Sequence, residues 1–291
     1  MSQGFSVICI IYGMEVCMNK IRVLAIVGLL GFLNLPCFGG SILLVGAESS
    51  ASNSLFGPNR LLIMKDRILN GANLGGYSFD AVDVFDSYLD TPTLQKLSSY
   101  NTVMVWSASS IKDSTTLGNH LTDYVLGGGN VILMSFGSSI GPTGRWSTSG
   151  FDPLENAGYR GGNVGSMSHV YVPSHPVFQG VQLINAEYVQ SGQVRSGATL
   201  LSAWQDIFQQ GSPTPMVIES ARFPGRVINL NFYGAYPYPN TYGDIDRLIA
   251  NSAYYLSSPE PVPEPSMLAT SLVFLSGGVM RMRRRGGVAH R

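Results

Sequence analysis

Cysteine is confined to one end of this chain. Cys9, Cys17 and Cys37 all precede residue 41, so the rest can form no disulfide, bind no metal through sulfur and attack with no thiolate. Charge is also scarce, at 12% of residues, about half the usual share for a globular protein. Between 41 and 258 there are 11 Lys and Arg against 15 Asp and Glu, a net of −4. A weakly acidic body without a basic cluster excludes nucleic acid as a partner. No fixed-period repeat is present, which excludes solenoids and propellers. No spacing of His, Asp and Glu matches a zinc motif. Gly127-Gly128-Gly129 follows a helical pattern and precedes an apolar run. That is the reverse of a phosphate-binding loop, and it reads as a helix stop. No cofactor is expected.

What is present begins at the two ends. Met18-Asn19-Lys20-Ile21-Arg22 is a short basic stretch ahead of an apolar run over 23–33, broken by Pro36 and followed by Gly39-Gly40-Ser41. Basic start, apolar middle and small-residue exit are the parts of a secretory signal, with Met18 or Met14 as the start that fits it. The run is short for a membrane span; a retained N-terminal anchor is the alternative. At the other end, Pro259-Glu260-Pro261-Val262-Pro263-Glu264-Pro265-Ser266 is stiff and extended, because each proline fixes φ and lacks a donor. An apolar segment over 267–280 follows, then Arg281, Arg283, Arg284 and Arg285, a stop-transfer arrangement with its basic cluster on the cytoplasmic side.

The order Val-Pro-Glu-Pro-Ser, apolar helix, arginine cluster resembles the PEP-CTERM sorting signal of Gram-negative bacteria. That resemblance implies transient anchoring in the inner membrane, then recognition by an exosortase and cleavage at Pro263-Glu264-Pro265. The body would then be cell-surface or extracellular, with the exosortase and the secretion machinery as partners. A plain C-terminal membrane anchor is the alternative. The chain thus divides into a signal segment (1–40), a body (41–258), a Pro-rich linker (259–266) and an apolar, Arg-rich tail (267–291).

In the body, the continuous apolar run 41–46 ends in Gly, as expected of a strand buried on both faces. Further strands are read at 82–86, 102–106 and 130–134, with helical patterns at 59–70, from Thr91-Pro92 to Tyr100, and from a Ser114 cap through Val125. Alternating strands and helices with short connections call for a mainly parallel sheet in an α/β fold. From 137 to 171 the pattern loosens into a Gly- and Ser-rich region. Strands resume at 198–204, 215–219 and 226–231, and a last helix is read over 242–256. The first strand, the segment 121–132, His175-Pro176-Val177-Phe178-Gln179-Gly180 and 225–232 together resemble the class I glutamine amidotransferase-like (flavodoxin-like) superfamily, including its ThuA-like branch. The resemblance implies a three-layer flavodoxin-like sandwich.

Ligands of open parallel sheets bind beyond the carboxyl ends of the strands, which makes Glu48, Asp86, Ser107, Ser135 and Asn231 candidates. The amidotransferase-like enzymes use a cysteine nucleophile activated by histidine, and this body has no cysteine. Ser107 is the substitute nucleophile on offer, without the Gly-x-Ser-x-Gly elbow around it. His169 and His175, with Asp206 or Glu187, are the candidate acid–base groups; His175 before Pro176 equally suits a turn. Tyr236 and Tyr238, in an aromatic and polar stretch over 231–242, offer faces for stacking on sugar rings. A loop packed by its own tyrosines is the plainer reading.

The expectation is an exported surface or matrix protein whose amidotransferase-like domain is non-catalytic and binds extracellular polysaccharide. An extracellular hydrolase of carbohydrate or peptide is the rival, and a purely structural matrix protein the third reading. Intact-mass analysis of the exported protein should show loss of the tail near Glu264. A mature species that keeps Arg281 to Arg285 would contradict processing.

Overall fold

The computed structural model describes residues 38–48, 59–136, 140–158, 163–235 and 239–258. The signal segment, the linker with Pro263, Glu264 and Pro265, the apolar tail, and Tyr236 and Tyr238 lie outside the described residues. Among the described residues no helix is long and apolar enough to cross a membrane.

Strand β1 (Phe38–Ala47) takes its apolar run into the interior of a sheet, between β2 (Ser78–Asp86) and β3 (Thr102–Ser107), both parallel to it. It begins three residues ahead of the expected body, with Phe38 paired to Ser78. Alternation decides where its side chains go. Ile42 and Leu44 enter one core cluster, Leu43, Val45 and Ala47 the other. A strand covered on both faces has no use for polar positions, so the run is unbroken. The same holds for β3 and for β4 (Asn130–Met134), whose Val131, Ile132, Leu133 and Met134 are all fully buried.

Helix α1 (Arg60–Gly75) and the last helix, α5 (Ile245–Ser257), cover the first face. The second is covered by the single turn α2 (Leu94–Leu97) and by α3 (Ser114–Leu126). Asn59 caps α1 by accepting from Leu61 N, and Gly76 ends it in the left-handed region at φ 74. The two covering helices of the first face nearly touch at Gly71, where a Cβ would collide with the Asp246 carbonyl oxygen. The cap of α3 is Asp113, not Ser114; its carboxylate accepts from Thr116 N at 2.9 Å. Likewise Thr93, not Thr91, caps α2, and the expected helix to Tyr100 shrinks to one turn.

The region expected to be loose contains α4 (Arg145–Thr148), β5 (Leu154–Gly158) and β6 (Val164–Val170). Then come a 3-10 turn (Pro176–Phe178), β7 (Ile184–Glu187), β8 (Ser191–Val194), β9 (Thr199–Trp204), β10 (Pro215–Ser220), β11 (Val227–Leu230) and β12 (Tyr242–Gly243). One ten-stranded sheet runs in the order β12-β7-β6-β9-β10-β11-β4-β3-β1-β2, and β5 pairs with β8 in a separate ribbon.

The expected mainly parallel sheet is therefore half right. Strands β2, β1, β3, β4 and β11 are parallel, in the 2-1-3-4-5 order of flavodoxin-like folds, while β10, β9, β6, β7 and β12 are antiparallel. The reason lies in the connections. A parallel pair needs a crossover of a dozen or more residues, usually a helix. Between β4 and β11 the only helices among the described residues are α4, of four residues, and the three-residue 3-10 turn.

Candidate functional site at the carboxyl edge

In the order β2-β1-β3 the chain fills the sheet to one side of β1 and then to the other. That reversal opens a crevice at the carboxyl ends of β1 and β3. Glu48 follows β1 there, and Trp106 and Ser107 end β3. Gly46 lies opposite Trp106, and a Cβ at Gly46 would collide with the indole ring. Its absence lets the indole lie across β1, where Nε1–H donates to Glu48 Oε1 at 2.9 Å.

Glu48 is fully buried and has two further partners. The Tyr233 hydroxyl donates to Oε1 at 2.6 Å, and Arg60 Nη1 donates to Oε2 at 3.2 Å and to the Tyr233 hydroxyl at 3.2 Å. Burial pushes the Glu48 carboxyl above its ordinary value; the bonds from Tyr233 and Trp106 and the Arg60 charge offset this only in part. Burial and the neighbouring carboxylate push the Tyr233 hydroxyl well up. A glutamate with a raised folded pKa holds its proton more tightly in the folded chain. Its contribution to stability is full in acid and falls as pH rises through the folded value. The network ties the end of β1, the start of α1, the end of β3 and the segment after β11.

On the other face of the sheet the same edge ends in small polar residues. Ala47 pairs with Ser107, and continuing the neighbouring registers by one or two steps sets Ser87, Ala47, Ser107, Ser135 and Asn231 in a row across five strands. The hydroxyls of Ser87, Ser107 and Ser135 are buried without a hydrogen-bond partner among the described residues. Each such group costs about 1–3 kcal/mol relative to a satisfied one. Asn231 is satisfied: it donates to the Gln190 and Pro215 carbonyls and accepts from Gln190 N. Alternation separates the predicted Ser107 and Ser135 from Glu48, on opposite faces of one edge.

Beside Glu48 the backbone is strained. Phe136, after β4, has φ 41, and Tyr188, after β7, has φ 59. Left-handed conformations of bulky residues cost about 1–3 kcal/mol each and persist only where the surroundings over-determine them. Their rings meet edge-on at 5.6 Å and pack on Tyr233 at 5.7 and 6.1 Å.

The histidines lie elsewhere. His175 Nε2 bonds Glu219 Oε2 at 3.2 Å, and its ring packs edge-on against Tyr255. Because β10 runs antiparallel, Glu219 sits beside Ile228 at the amino end of β11, the edge opposite to Ser107. Burial alone would raise the Glu219 carboxyl. Bonds from His175 and Tyr255 and the charges of His175 and Arg226 outweigh it and hold the carboxyl below its ordinary value. That stabilisation is present above the ordinary glutamate value and lost as pH falls through the folded one. His169 is exposed on β6 against the Tyr171 ring. Asp206 holds a turn by accepting from Gln210 N and Gly211 N, Glu187 accepts from Asn240, and Asp86 accepts from Tyr88 N.

Among the described residues no group of three His, Cys, Asp or Glu could hold a metal. A groove of about 1000 Å³ lies at the amino edge, with Tyr100, Asn101, Asn130, Arg226 and Tyr255 in its wall. These wall residues bond other side chains or the backbone: Tyr100 to Asp83, Asn101 to Ser41, Asn130 to Leu256 and Arg226. Left-handed backbone at Phe136 and Tyr188 and the three serine hydroxyls without a partner among the described residues lie at the carboxyl edge, which makes that edge the stronger candidate.

No protein-family model matches the sequence, and no curated protein matches it. Among solved structures, a cytoplasmic protein of Salmonella typhimurium LT2 is similar with a TM-score of 0.50 and 12% identity, over 75% of this chain and 99% of its own. A protein of Parabacteroides merdae described as ThuA-like has a TM-score of 0.49 and 13% identity, over 75% and 90%. Another so described, from Bacteroides uniformis, has 0.48 and 13%, over 78% and 91%. At 12% identity the likeness to the Salmonella protein is one of fold alone.

Removing Glu48 takes its carboxylate from the buried Arg60. Glu48→Ala should cost about 3–5 kcal/mol in urea unfolding. The pair Glu48→Leu with Arg60→Met should recover part of that loss. A Glu48→Ala protein as stable as the parent would show that the pair is not buried in solution.

Proposed function

We propose that this chain is an exported, surface-displayed α/β domain that binds extracellular polysaccharide and does not hydrolyse it. The signal segment and the exosortase-type tail supply the address, with the tail holding the protein at the inner membrane until cleavage. The cysteine-free body, in a fold whose amidotransferase-like members attack through cysteine, supports binding over catalysis. The observation that carries the reading is the separation of Ser107 from His175. A serine is a weak nucleophile until a base within hydrogen-bond reach takes its proton. Ser107 ends β3 at the carboxyl edge, while His175 is engaged with Glu219 at the amino edge.

The glycan part rests on chemistry of the carboxyl edge. Aromatic rings and uncharged hydroxyl and amide groups suit a neutral polyol, which offers C–H faces and many weak donors and acceptors. Tyr236 and Tyr238 follow Tyr233 closely in sequence. The body's small negative charge leaves an uncharged polymer as the simplest partner.

A glycan array probed with the full chain should give binding that Tyr236→Ala with Tyr238→Ala weakens. Replacing Ser107, His169 and His175 together by alanine should leave it unchanged. Hydrolysis of a polysaccharide or peptide that this triple replacement abolishes, with stability intact, would overturn the binding reading in favour of an extracellular hydrolase.

A further inference from the structure

The body's connections to both ends of the chain lie at the amino edge. Strand β1 begins there at Phe38, paired with Ser78 at the start of β2. Helix α5 ends there: the Ser257 hydroxyl bonds Thr102 at the start of β3, and the Leu256 carbonyl accepts from Asn130 at the start of β4. Ser258 and the three residues before it stand in the wall of the groove of about 1000 Å³. The Ser258 hydroxyl is buried there without a partner among the described residues. The chain thus leaves the described body from the groove's own wall. Its next eight residues are Pro259-Glu260-Pro261-Val262-Pro263-Glu264-Pro265-Ser266, which lie outside the described residues.

We infer that the amino-edge groove is the docking site of this Pro-rich segment, residues 259–266. Extended proline-rich segments seat in grooves walled by aromatic rings, and they lose little entropy because they are stiff beforehand. Tyr100, Phe223 and Tyr255 are partly exposed in this wall. Two of the rings are fixed by their hydroxyls, which donate to Asp83 and to Glu219. Gly127, Gly128 and Gly129 add wall without side chains, and a Cβ at Gly128 would meet nothing within 4 Å. Reach is sufficient. Eight residues of polyproline helix span about 25 Å, against about 19 Å for the four inter-strand steps from Asp80 on β2 to Arg226 before β11. Attachment at Ser258 holds the segment at an effective concentration on the order of millimolar, so weak contacts suffice. Of the charged residues in the wall, Arg226 is paired with Glu219, Asp123 is paired with Arg145, and Asp80 is an acid. Recognition therefore falls to the rings and prolines and not to Glu260 or Glu264.

A docked linker sets the body close to the segment 267–280. With that segment in the inner membrane, the amino edge faces the bilayer and the carboxyl edge points away from it. This orientation rests on the anchoring proposed above; the docking does not.

The test is the mobility of the linker in the full chain in detergent micelles, read as NMR order parameters of the Glu260, Val262 and Glu264 amides. Docking predicts rigid values of about 0.85 that fall below about 0.6 when Tyr100→Ala and Phe223→Ala together strip the wall. If that variant fails to fold, Ser98→Trp takes its place, filling the groove from an exposed position in the wall. Linker values below about 0.6 in the unaltered chain would overturn the docking. So would values at any level that the wall changes leave unmoved, since proline stiffness or the tail would then account for them.

Discussion

A carboxylate with no access to water organises the functional end of this protein. Moving an ion of that size out of water costs several kcal/mol even after relaxation. Glu48 is tolerated because a guanidinium, an indole N–H and a phenol all converge on it. Each partner comes from a different element, so the bonds that satisfy the charge also fix the ends of those elements relative to one another. The substitution of a glycine for any side chain at position 46 is part of the same constraint, since Trp106 must cross β1 to reach the carboxylate. Buried ion pairs are poor sources of net stability. This one makes better sense as a device that sets geometry at the crevice between β1 and β3.

That geometry has consequences on both faces of the edge. On one, Tyr233 is immobilised by Glu48 and Arg60 and supports the strained Phe136 and Tyr188. On the other, a row of serine hydroxyls ends the strands without partners among the described residues. Neither feature improves stability. Strained backbone and unsatisfied polar groups are tolerated where a ligand supplies what the fold withholds, and both occur here within one or two residues of the strand ends. The amino edge shows the opposite character. His175, Glu219, Tyr255 and Arg226 are bonded together there, and Asn130 pins the last turn of α5. These side chains serve one another and hold the elements that meet there.

The parallel half of the fold was legible in sequence because its strands are buried on both faces, which leaves unbroken apolar runs at 42–45, 103–106 and 131–134. Helix–strand alternation then gave the order of elements. The antiparallel half was harder to read. Strands β6 and β8 are partly exposed and carry Gly and Ser, and β7 is only four residues long, so no apolar alternation marks them. Glu48 was a visible candidate, because it carries charge just beyond the end of an apolar strand. Its partners were not: Arg60 reads as an ordinary helix-start residue, and Tyr233 lies 185 positions away. Nor does any local pattern announce positive φ at Phe136 or Tyr188, since the cause is tertiary. His175 looked like a catalytic candidate by residue type, and only the reversed direction of β10 shows that it serves the other edge.

The claim on which the rest depends is that the Glu48 carboxyl is buried and held by Tyr233. Infrared difference spectroscopy on protein with isotope-labelled glutamate would follow that carboxyl directly, with Glu48→Gln identifying its band. The account predicts a titration above the ordinary glutamate value, and a further rise in Tyr233→Phe, where one stabilising bond to the ionised form is gone. An ordinary midpoint that Tyr233→Phe leaves unmoved would contradict it.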